Sequence, residues 1–258
     1  MPADSVPRSP AGPGSLAGPV RAGVPEHGRV PKYYTVKTAL AAVLDELGEG
    51  GSLPTERDLA AEFGVARETV RQAIRELLIE GRVRRQGRGT VVAGPKLVQP
   101  LSLVSYTEGV RRQGRTPGRE VIGTELLPAD TSLAEALDIS PGDPVLHLER
   151  VLLADSERVG LESTYLPKAR FPRLLDEFDP ETSLYAFLRE QLGVRFREAE
   201  EQIETVLASP REALLIGTSP ALPMLLLNRI SRDKDGRPIE RVRGLYRGDR
   251  FSFTTILR

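Results

Sequence analysis

The sequence contains no cysteine and no tryptophan, and only two of its 258 residues are histidine. Because it lacks thiols, a disulfide framework, a thiolate metal site and a cysteine nucleophile are all excluded. His27 and His147 are also too few for a multi-histidine metal centre. No stretch approaches the ~18 uncharged apolar residues of a membrane helix, and the N-terminus lacks the apolar core of a signal peptide. We therefore expect a cytoplasmic protein with no metal, no cofactor and no membrane partner.

The sequence also lacks net charge, because 36 lysines and arginines balance 36 aspartates and glutamates. At first sight this balance argues against a protein that binds polyanions. Apolar residues make up 40% of the chain, which is ordinary for a globular protein. The length predicts one or two domains.

Changes in composition divide the chain into four parts. Residues 1–30 are rich in proline and glycine and poor in large apolar side chains, which predicts a disordered tail. Residues 31–94 combine three amphipathic helical patterns with a short hairpin. Residues 95–100 follow Gly94 and are typical of a linker. Residues 101–258 alternate β-rich runs with short helical patterns, which predicts an α+β domain built on an antiparallel sheet.

The first folded domain has the local signals of a winged helix-turn-helix. A helix with apolar residues at three- and four-residue spacing comes first. The second helix begins after Thr55, an N-cap with Asp58 three residues later, and Gly64 ends it. The third helix begins at Arg67, and Gly81 ends it. Two short β-prone runs around a Gly-Arg-Gly turn then predict the hairpin of a wing.

Although the whole chain carries no net charge, one segment of the first domain is strongly positive. Between Ala66 and Thr90 there are seven arginines and three glutamates, a net charge of +4. Positive charge at that density attracts phosphates. Arg67 and Arg71 lie in the first turns of the third helix, where a helix in the major groove contacts base edges. The glycines of the wing let its backbone approach DNA while Arg88 reaches into a minor groove.

Three segments of this domain, 53–60, 67–73 and 87–90, together resemble the winged helix-turn-helix of the GntR family of bacterial transcription regulators. The resemblance implies homodimers that bind short palindromic operators, and a two-fold dimer would read two half-sites. It also implies that Arg57 touches the DNA backbone. The predicted DNA-binding residues are Arg57, Arg67, Glu68, Thr69, Arg71, Gly87, Arg88, Gly89 and Thr90.

The C-terminal domain resembles the HutC-like branch of the same family. The segments that carry this likeness are 102–108, 161–166, 182–185 and 246–251. The resemblance implies a UTRA effector domain with a chorismate-lyase-like fold, which binds a small metabolite. Within that branch the sequence is most similar to the amino-sugar-responsive regulators, which sense glucosamine 6-phosphate or N-acetylglucosamine 6-phosphate.

A sugar phosphate needs a site for a dianion and polar groups for its hydroxyls. Hydroxyls and backbone N–H groups at helix starts favour phosphate, and an arginine adds charge-assisted hydrogen bonds. Carboxylates within β-like runs are costly unless they are paired or face a pocket, where they would accept hydrogen bonds from hydroxyl or amino groups. The predicted effector-binding residues are Ser105, Tyr106, Thr107, His147, Arg150, Glu162, Ser183, Tyr185, Glu240 and Tyr246.

Several of these side chains also have a structural interpretation. Ser105 and Ser183 could be plain helix N-caps, Glu162 and Glu240 could lie on a solvated sheet face, and Arg150 could be an ion-pair partner.

The strand around Arg150 departs from the amino-sugar-responsive pattern, which usually has more than one arginine there. His147 and Leu152 stand where a second basic residue is expected. Arg150 is then the one arginine of this strand that is available for a phosphate. A different or unphosphorylated ligand therefore remains an alternative.

The leading interpretation is a ligand-responsive repressor in which the linker around Gly94 and Pro95 couples effector binding to the DNA-binding heads. An enzyme is the second interpretation, because the related fold includes a lyase. The sequence has no nucleophile-elbow, phosphate-loop or dinucleotide motif, so we predict no catalytic residue. A protein that binds DNA without an effector is the third interpretation.

Overall fold

The computed structural model of the chain describes residues 30–257, so the predicted disordered tail lies outside the described residues except for its last position. The N-terminal domain consists of α1 (Lys32–Leu47), α2 (Glu56–Glu62), α3 (Arg67–Ile79), β1 (Val83–Gln86) and β2 (Gly89–Val92). The remaining elements are β3 (Leu97–Pro100), α4 (Tyr106–Arg112), β4 (Pro117–Pro128), α5 (Thr131–Leu137), β5 (Pro144–Ala154), β6 (Glu157–Pro167), α6 (Leu174–Glu177), α7 (Leu184–Glu190), β7 (Phe196–Leu207), α8 (Pro210–Ile216), β8 (Pro223–Asp233), β9 (Pro238–Arg247) and β10 (Phe251–Thr254). No helix in this part of the chain is both long enough and apolar enough to cross a membrane.

The N-terminal domain is a three-helix core followed by a hairpin, as the sequence predicts. The buried residues of α1 are Val36, Leu40 and Leu44, which recur every four residues on one face. They pack with the apolar faces of α2 and α3 in one core. Thr55 caps α2, and its side chain accepts a hydrogen bond from the backbone N–H of Asp58.

The C-terminal domain is built on a six-stranded sheet with the order β4-β5-β6-β9-β8-β7. Every neighbouring pair in this sheet is antiparallel. The predicted α+β domain with an antiparallel sheet is therefore confirmed. The β8–β9 hairpin turns at Gly236, where φ is +76°, a conformation that favours glycine.

Helices cover both faces of this sheet. Helix α8 packs on one face, where Ile216 contacts a core that includes Val151 and Leu161. Helices α4 and α7 cover the other face, where Leu152 shares a core with α4 and Leu148 shares one with α7. The second face also carries polar side chains, and these belong to the site described below.

Two glycines on the second face make room for a tyrosine ring. A Cβ atom added at Gly244 would lie 2.6 Å from Cε2 of Tyr246, and one at Gly160 would lie 3.0 Å from Cδ1 of the same ring. Tyr246 therefore lies close against the sheet, where it stacks on Phe251 at 4.4 Å between ring centroids. The ring and the sheet together form the surface at one end of this face.

The predicted linker, residues 95–100, is only partly a connection. Residues Leu97–Pro100 form β3, which pairs in parallel with β10 in the register Leu97 to Phe251. The reason is burial, because Leu97 is 1% exposed and packs in the same core as Phe251. The last strand, β10, ends at Thr254.

We predict that Gly244→Ala destabilises the C-terminal domain, because the new Cβ would overlap the Tyr246 ring. Overpacking of this kind costs ~1–3 kcal/mol of unfolding free energy. Gly123→Ala is the matched control in the same sheet, since no atom lies within 4 Å of a Cβ added there. Urea denaturation of both variants measures the difference. Equal midpoints for the two would contradict the close packing of Tyr246.

Candidate DNA-binding surface and effector pocket

The third helix and the hairpin present the predicted arginines to solvent. Arg67, Arg71 and Arg75 are exposed on α3, at four-residue spacing on one side of the helix. Arg88 is exposed at the tip of the hairpin, next to Gly87 with φ +57°. This arrangement is the geometry of a recognition helix beside a wing.

The other predicted DNA-binding residues of this domain differ in how far they are exposed to solvent. Glu68 and Arg57 are exposed, and the Arg57 side chain is 79% exposed beside Asp58. Thr69 is half-buried on α3. Thr90 differs from the prediction, because it is 7% exposed and its hydroxyl accepts a hydrogen bond from Arg85 at 2.8 Å. Thr90 stands opposite Arg85 in the β1–β2 register, and its side chain is turned to the inside of the domain.

The second face of the large sheet encloses a cavity with an empty volume of about 610 Å³, its open mouth included. Strands β4, β5, β6, β8 and β9 form its floor, and its walls come from β3, β10 and the starts of α4 and α7. The predicted effector residues that line it are Ser105, Tyr106, Arg150, Glu162, Ser183, Tyr185, Glu240 and Tyr246.

Arg150 and Glu162, both predicted for the pocket, pair with each other. Arg150 is 2% exposed, and its Nη2 donates to Glu162 Oε1 at 2.7 Å. Its Nη1 donates to the carbonyl oxygen of Thr182 at 3.2 Å. The Nε atom is buried and has no hydrogen-bond partner among the described residues. Arg150 thus holds the segment before α7 on the sheet and keeps one donor free.

Arg119 is a cavity residue that the sequence analysis missed. It stands directly opposite Leu152 in the β4–β5 register, so the neighbouring strand supplies the second arginine that β5 lacks. Its Nη2 donates to the hydroxyl of Thr107 at 2.7 Å, and among the described residues it forms no ion pair. Burial and the nearby charge of Arg150 lower the pKa of Arg119 to about 10.

A third arginine, Arg229, closes the opposite side of the cavity and was also missed. It pairs with Glu201, and its Nη1 donates to the hydroxyl of Tyr185 at 3.1 Å. Burial acts to lower the pKa of Arg229, yet Tyr185 and Glu201 hold that pKa above its ordinary value. Arg229 lies within an apolar run of β8. A charged residue in an apolar strand is the same sequence signal that identified Glu162 and Glu240, so it could have identified Arg229 as well.

Glu240 is the most buried acid of the cavity, with 0% exposure. Its Oε1 accepts hydrogen bonds from Tyr185 and from Ser231, the latter at 3.0 Å, while Oε2 has no partner among the described residues. Burial raises the pKa of Glu240 above its usual range, although the Tyr185 hydrogen bond opposes that shift.

Three hydroxyl residues predicted for the pocket have structural partners. Ser105 and Ser183 line the cavity but are also the N-caps of α4 and α7. Thr107 lies behind the cavity wall, where its hydroxyl accepts the hydrogen bond from Arg119. The cap interpretation of the two serines therefore holds beside their position at the cavity.

His147 was predicted for the pocket, but the structure places it away from the cavity, on the other face of the sheet. Because successive residues of a strand point to opposite faces, His147 and Arg150, three positions apart on β5, lie on opposite sides of the sheet. His147 stacks on Tyr165 at 4.6 Å, and its Nδ1 lies 3.2 Å from Glu125 Oε1. Within residues 30–257, no group of three or more histidines, aspartates or glutamates is placed to hold a metal ion.

Comparisons with known proteins match both domains. The family model described as bacterial regulatory proteins of the gntR family matches residues 33–92, and the UTRA domain model matches residues 112–252. The HTH-type transcriptional repressor PhnF of Mycolicibacterium smegmatis is 50% identical over 229 residues, covering 89% of this chain and 93% of the relative. The crystal structure of PhnF superposes with a TM-score of 0.64 over 86% of this chain and 99% of that chain.

Two further relatives are similar over both domains. The HTH-type transcriptional repressor NagR of Bacillus subtilis is 32% identical, covering 87% of this chain and 93% of the relative. The mannosyl-D-glycerate transport/metabolism system repressor MngR of Escherichia coli is 34% identical, covering 82% of this chain and 88% of the relative. The chain therefore belongs to the GntR family of bacterial regulatory proteins, carries a UTRA domain and is a transcriptional regulator rather than an enzyme.

Proposed function

We propose that the protein is a repressor that binds a palindromic operator as a homodimer in the cytoplasm and responds to an anionic metabolite in the UTRA-domain cavity. Amino-sugar phosphates such as glucosamine 6-phosphate and N-acetylglucosamine 6-phosphate are the first candidates. The relatives described above are named as repressors, and the DNA-binding surface and the cavity support the two halves of the proposal separately.

The DNA-binding half rests on the exposed arginines of α3 and the wing. Arg67 and Arg71 lie in the first turns of the helix, where side chains reach base edges in a major groove. Arg88 lies at a hairpin tip with glycines on both sides, which suits a minor groove. Since one head offers few such contacts, tight binding would need two heads on matched half-sites.

The single observation that carries the effector half is Arg119. A half-buried guanidinium with a buried Nε and no ion-pair partner among the described residues is costly, and a bound anion would remove that cost. The unpartnered Nε atoms of Arg119, Arg150 and Arg229 are three further donors at the cavity. A phosphate or phosphonate has enough oxygens to accept several of them at once.

The rest of the cavity suits the uncharged or cationic part of a sugar. The free Oε2 of Glu240 would accept a hydrogen bond from a hydroxyl or amino group, or donate its proton when the carboxyl is neutral. The Tyr246 ring offers a flat apolar surface against which a sugar ring packs. The E. coli relative is named for mannosyl-D-glycerate, which is also an anionic sugar derivative.

Contacts between the domains offer a route from the cavity to the DNA-binding head. Tyr246 and Phe251 line the cavity, and the turn between them reaches the head. Lys96 Nζ donates to the carbonyl oxygen of Gly248 at 2.6 Å, and a Cβ added at Gly81 would lie 2.1 Å from the carbonyl oxygen of Asp249. If ligand binding moved either aromatic ring, the turn at Asp249 would move too, and with it the contact at Gly81, just after α3.

We predict that Arg67→Ala and Arg71→Ala each weaken operator binding by ~1–3 kcal/mol, the value of a bidentate base contact. The operator is the tightest duplex that the unaltered chain selects from a random-sequence DNA library, and fluorescence anisotropy measures the affinity. Arg197→Ala, an exposed change on β7, is the control. Unchanged operator affinity in both α3 variants would defeat the assignment of the recognition helix.

We predict that Arg119→Met abolishes anion binding while leaving the fold intact. The test is a thermal-shift and calorimetry panel of the two amino-sugar phosphates, an alkylphosphonate, inorganic phosphate and neutral N-acetylglucosamine, because a ligand of the native state raises its stability. Arg197→Met removes the same charge from the exposed edge strand and should behave like the unaltered chain. The effector claim fails if no anion stabilises the protein, or if the neutral sugar does so equally well.

We predict that Gly81→Ala uncouples effector binding from DNA binding, since its Cβ would collide with the turn at Asp249. Gly48→Ala is the matched control, with φ +68° against +74° at Gly81 and no atom within 4 Å. Both substitutions carry a similar backbone strain of ~1 kcal/mol. Operator titrations with and without the effector should show a response in the control but at least a fivefold smaller one in Gly81→Ala. Equal responses would show that the signal does not pass this contact.

A further inference from the structure

Glu56, the first residue of α2, lies between the recognition helix and the wing. Its Oε2 accepts a hydrogen bond from Nε of Arg71 at 3.2 Å, and its Oε1 lies 3.6 Å from Nη2 of Arg85 on β1. Its side chain is 21% exposed, against 45% for Arg71 and 50% for Arg85. One carboxylate thus bridges two arginines from different elements of the DNA-binding domain.

The bridge is part of a longer polar chain across the domain. Arg71 Nη1 also donates to Glu68 at 2.7 Å, and Arg85 Nη1 donates to the buried hydroxyl of Thr90 at 2.8 Å. The order of contacts is therefore Glu68, Arg71, Glu56, Arg85 and Thr90. It links the exposed side of α3 to the inside of the hairpin.

We propose that Glu56 is a positioning residue for DNA recognition, which fixes the Arg71 guanidinium and ties it to the wing through Arg85. The proposal rests on the proposed role of Arg71 in operator reading. Glu56 itself need not touch DNA, because it acts through the two arginines.

The chemistry of the guanidinium gives this arrangement a consequence for specificity. Arginine has five N–H donors in a fixed fork, and Glu56 occupies the one on Nε. The terminal Nη1 and Nη2 groups then remain for a guanine, whose O6 and N7 accept a bidentate pair. Since Glu68 is 69% exposed, it is the partner that DNA displaces, whereas the half-buried Glu56 keeps its hold on Arg71.

A carboxylate on this surface also repels phosphates, so its removal acts in two opposite directions. Loss of Glu56 frees Arg71 to rotate, which weakens the base contact. The same loss removes a negative charge, which strengthens sequence-independent attraction to the backbone. A residue that merely stabilised the fold would weaken both kinds of binding together.

The experiment compares Glu56→Ala, Glu56→Gln and Glu62→Gln in the full chain. Glu62 is an exposed carboxylate at the far end of the same helix, so its variant controls for the lost charge. The probes are the selected operator duplex and a shuffled duplex of the same composition, measured by anisotropy at two salt concentrations. Circular dichroism confirms that each variant is folded.

We expect Glu56→Ala to weaken operator binding at least fivefold while leaving the shuffled duplex bound equally or more tightly. Glu56→Gln keeps an oxygen that accepts from Arg71 Nε, so it should restore part of the operator affinity. In an Arg71→Ala background, Glu56→Ala should change operator affinity less than twofold, because its partner is already gone.

Three outcomes would overturn the proposal. A parallel fall in operator and shuffled-duplex affinity would assign Glu56 a structural role only. Full operator affinity in Glu56→Ala, with a weakened Arg71→Ala variant, would show that Arg71 reads DNA without this support. If Arg71→Ala itself binds the operator normally, Arg71 does not read the operator. The proposed role of Glu56, which depends on Arg71, is then also ruled out.

Discussion

Buried and half-buried positive charge on one face of the large sheet is the constraint around which the C-terminal domain is arranged. Arg150 and Arg229 are neutralised by Glu162 and Glu201, whereas Arg119 has no carboxylate partner among the described residues. An unbalanced charge in a protein interior is expensive unless something pairs with it. This imbalance is the reason for proposing an anion as the ligand of the cavity.

The same guanidinium groups also hold the walls of the cavity in place. Arg150 donates to the backbone before α7, Arg229 donates to the carbonyl oxygen of Ser102, and Arg119 donates to Thr107 on α4. A ligand that takes donors from these arginines competes with wall contacts. Binding would therefore change how the walls pack, and β3, which begins directly after Lys96, is one of them. In the proposed function, β3 is the element through which ligand binding would be coupled to the DNA-binding domain.

The sequence predicted the local features of the fold well, because helix periodicity, the Thr55 cap and the strand alternation are encoded by neighbouring residues. It missed β3, since the partner of Leu97 in the sheet is Phe251, far along the chain. Such long-range pairing leaves little local signal. The short run from Leu97 to Pro100 therefore looked like a continuation of the linker.

The cavity shows the same division between local and long-range information. Arg150 and Glu162 were found because a charge within an apolar strand is conspicuous by itself. Arg119 was missed because its importance comes from the strand register, which places it opposite Leu152. His147 lies away from the cavity because residues three positions apart on a strand point to opposite faces, and the burial of Thr90 depends on the packing of the whole hairpin.

Whether the cavity beside Arg119 receives an anion is decided by a crystal structure of the protein with the most stabilising compound of the panel. We expect the phosphate or phosphonate oxygens within hydrogen-bond distance of Arg119 and of Nε of Arg150, with the rest of the ligand toward Glu240 and Tyr246. A ligand bound elsewhere, or one that lay in the cavity with its charged group pointing away from Arg119, would rule out an anion site at Arg119.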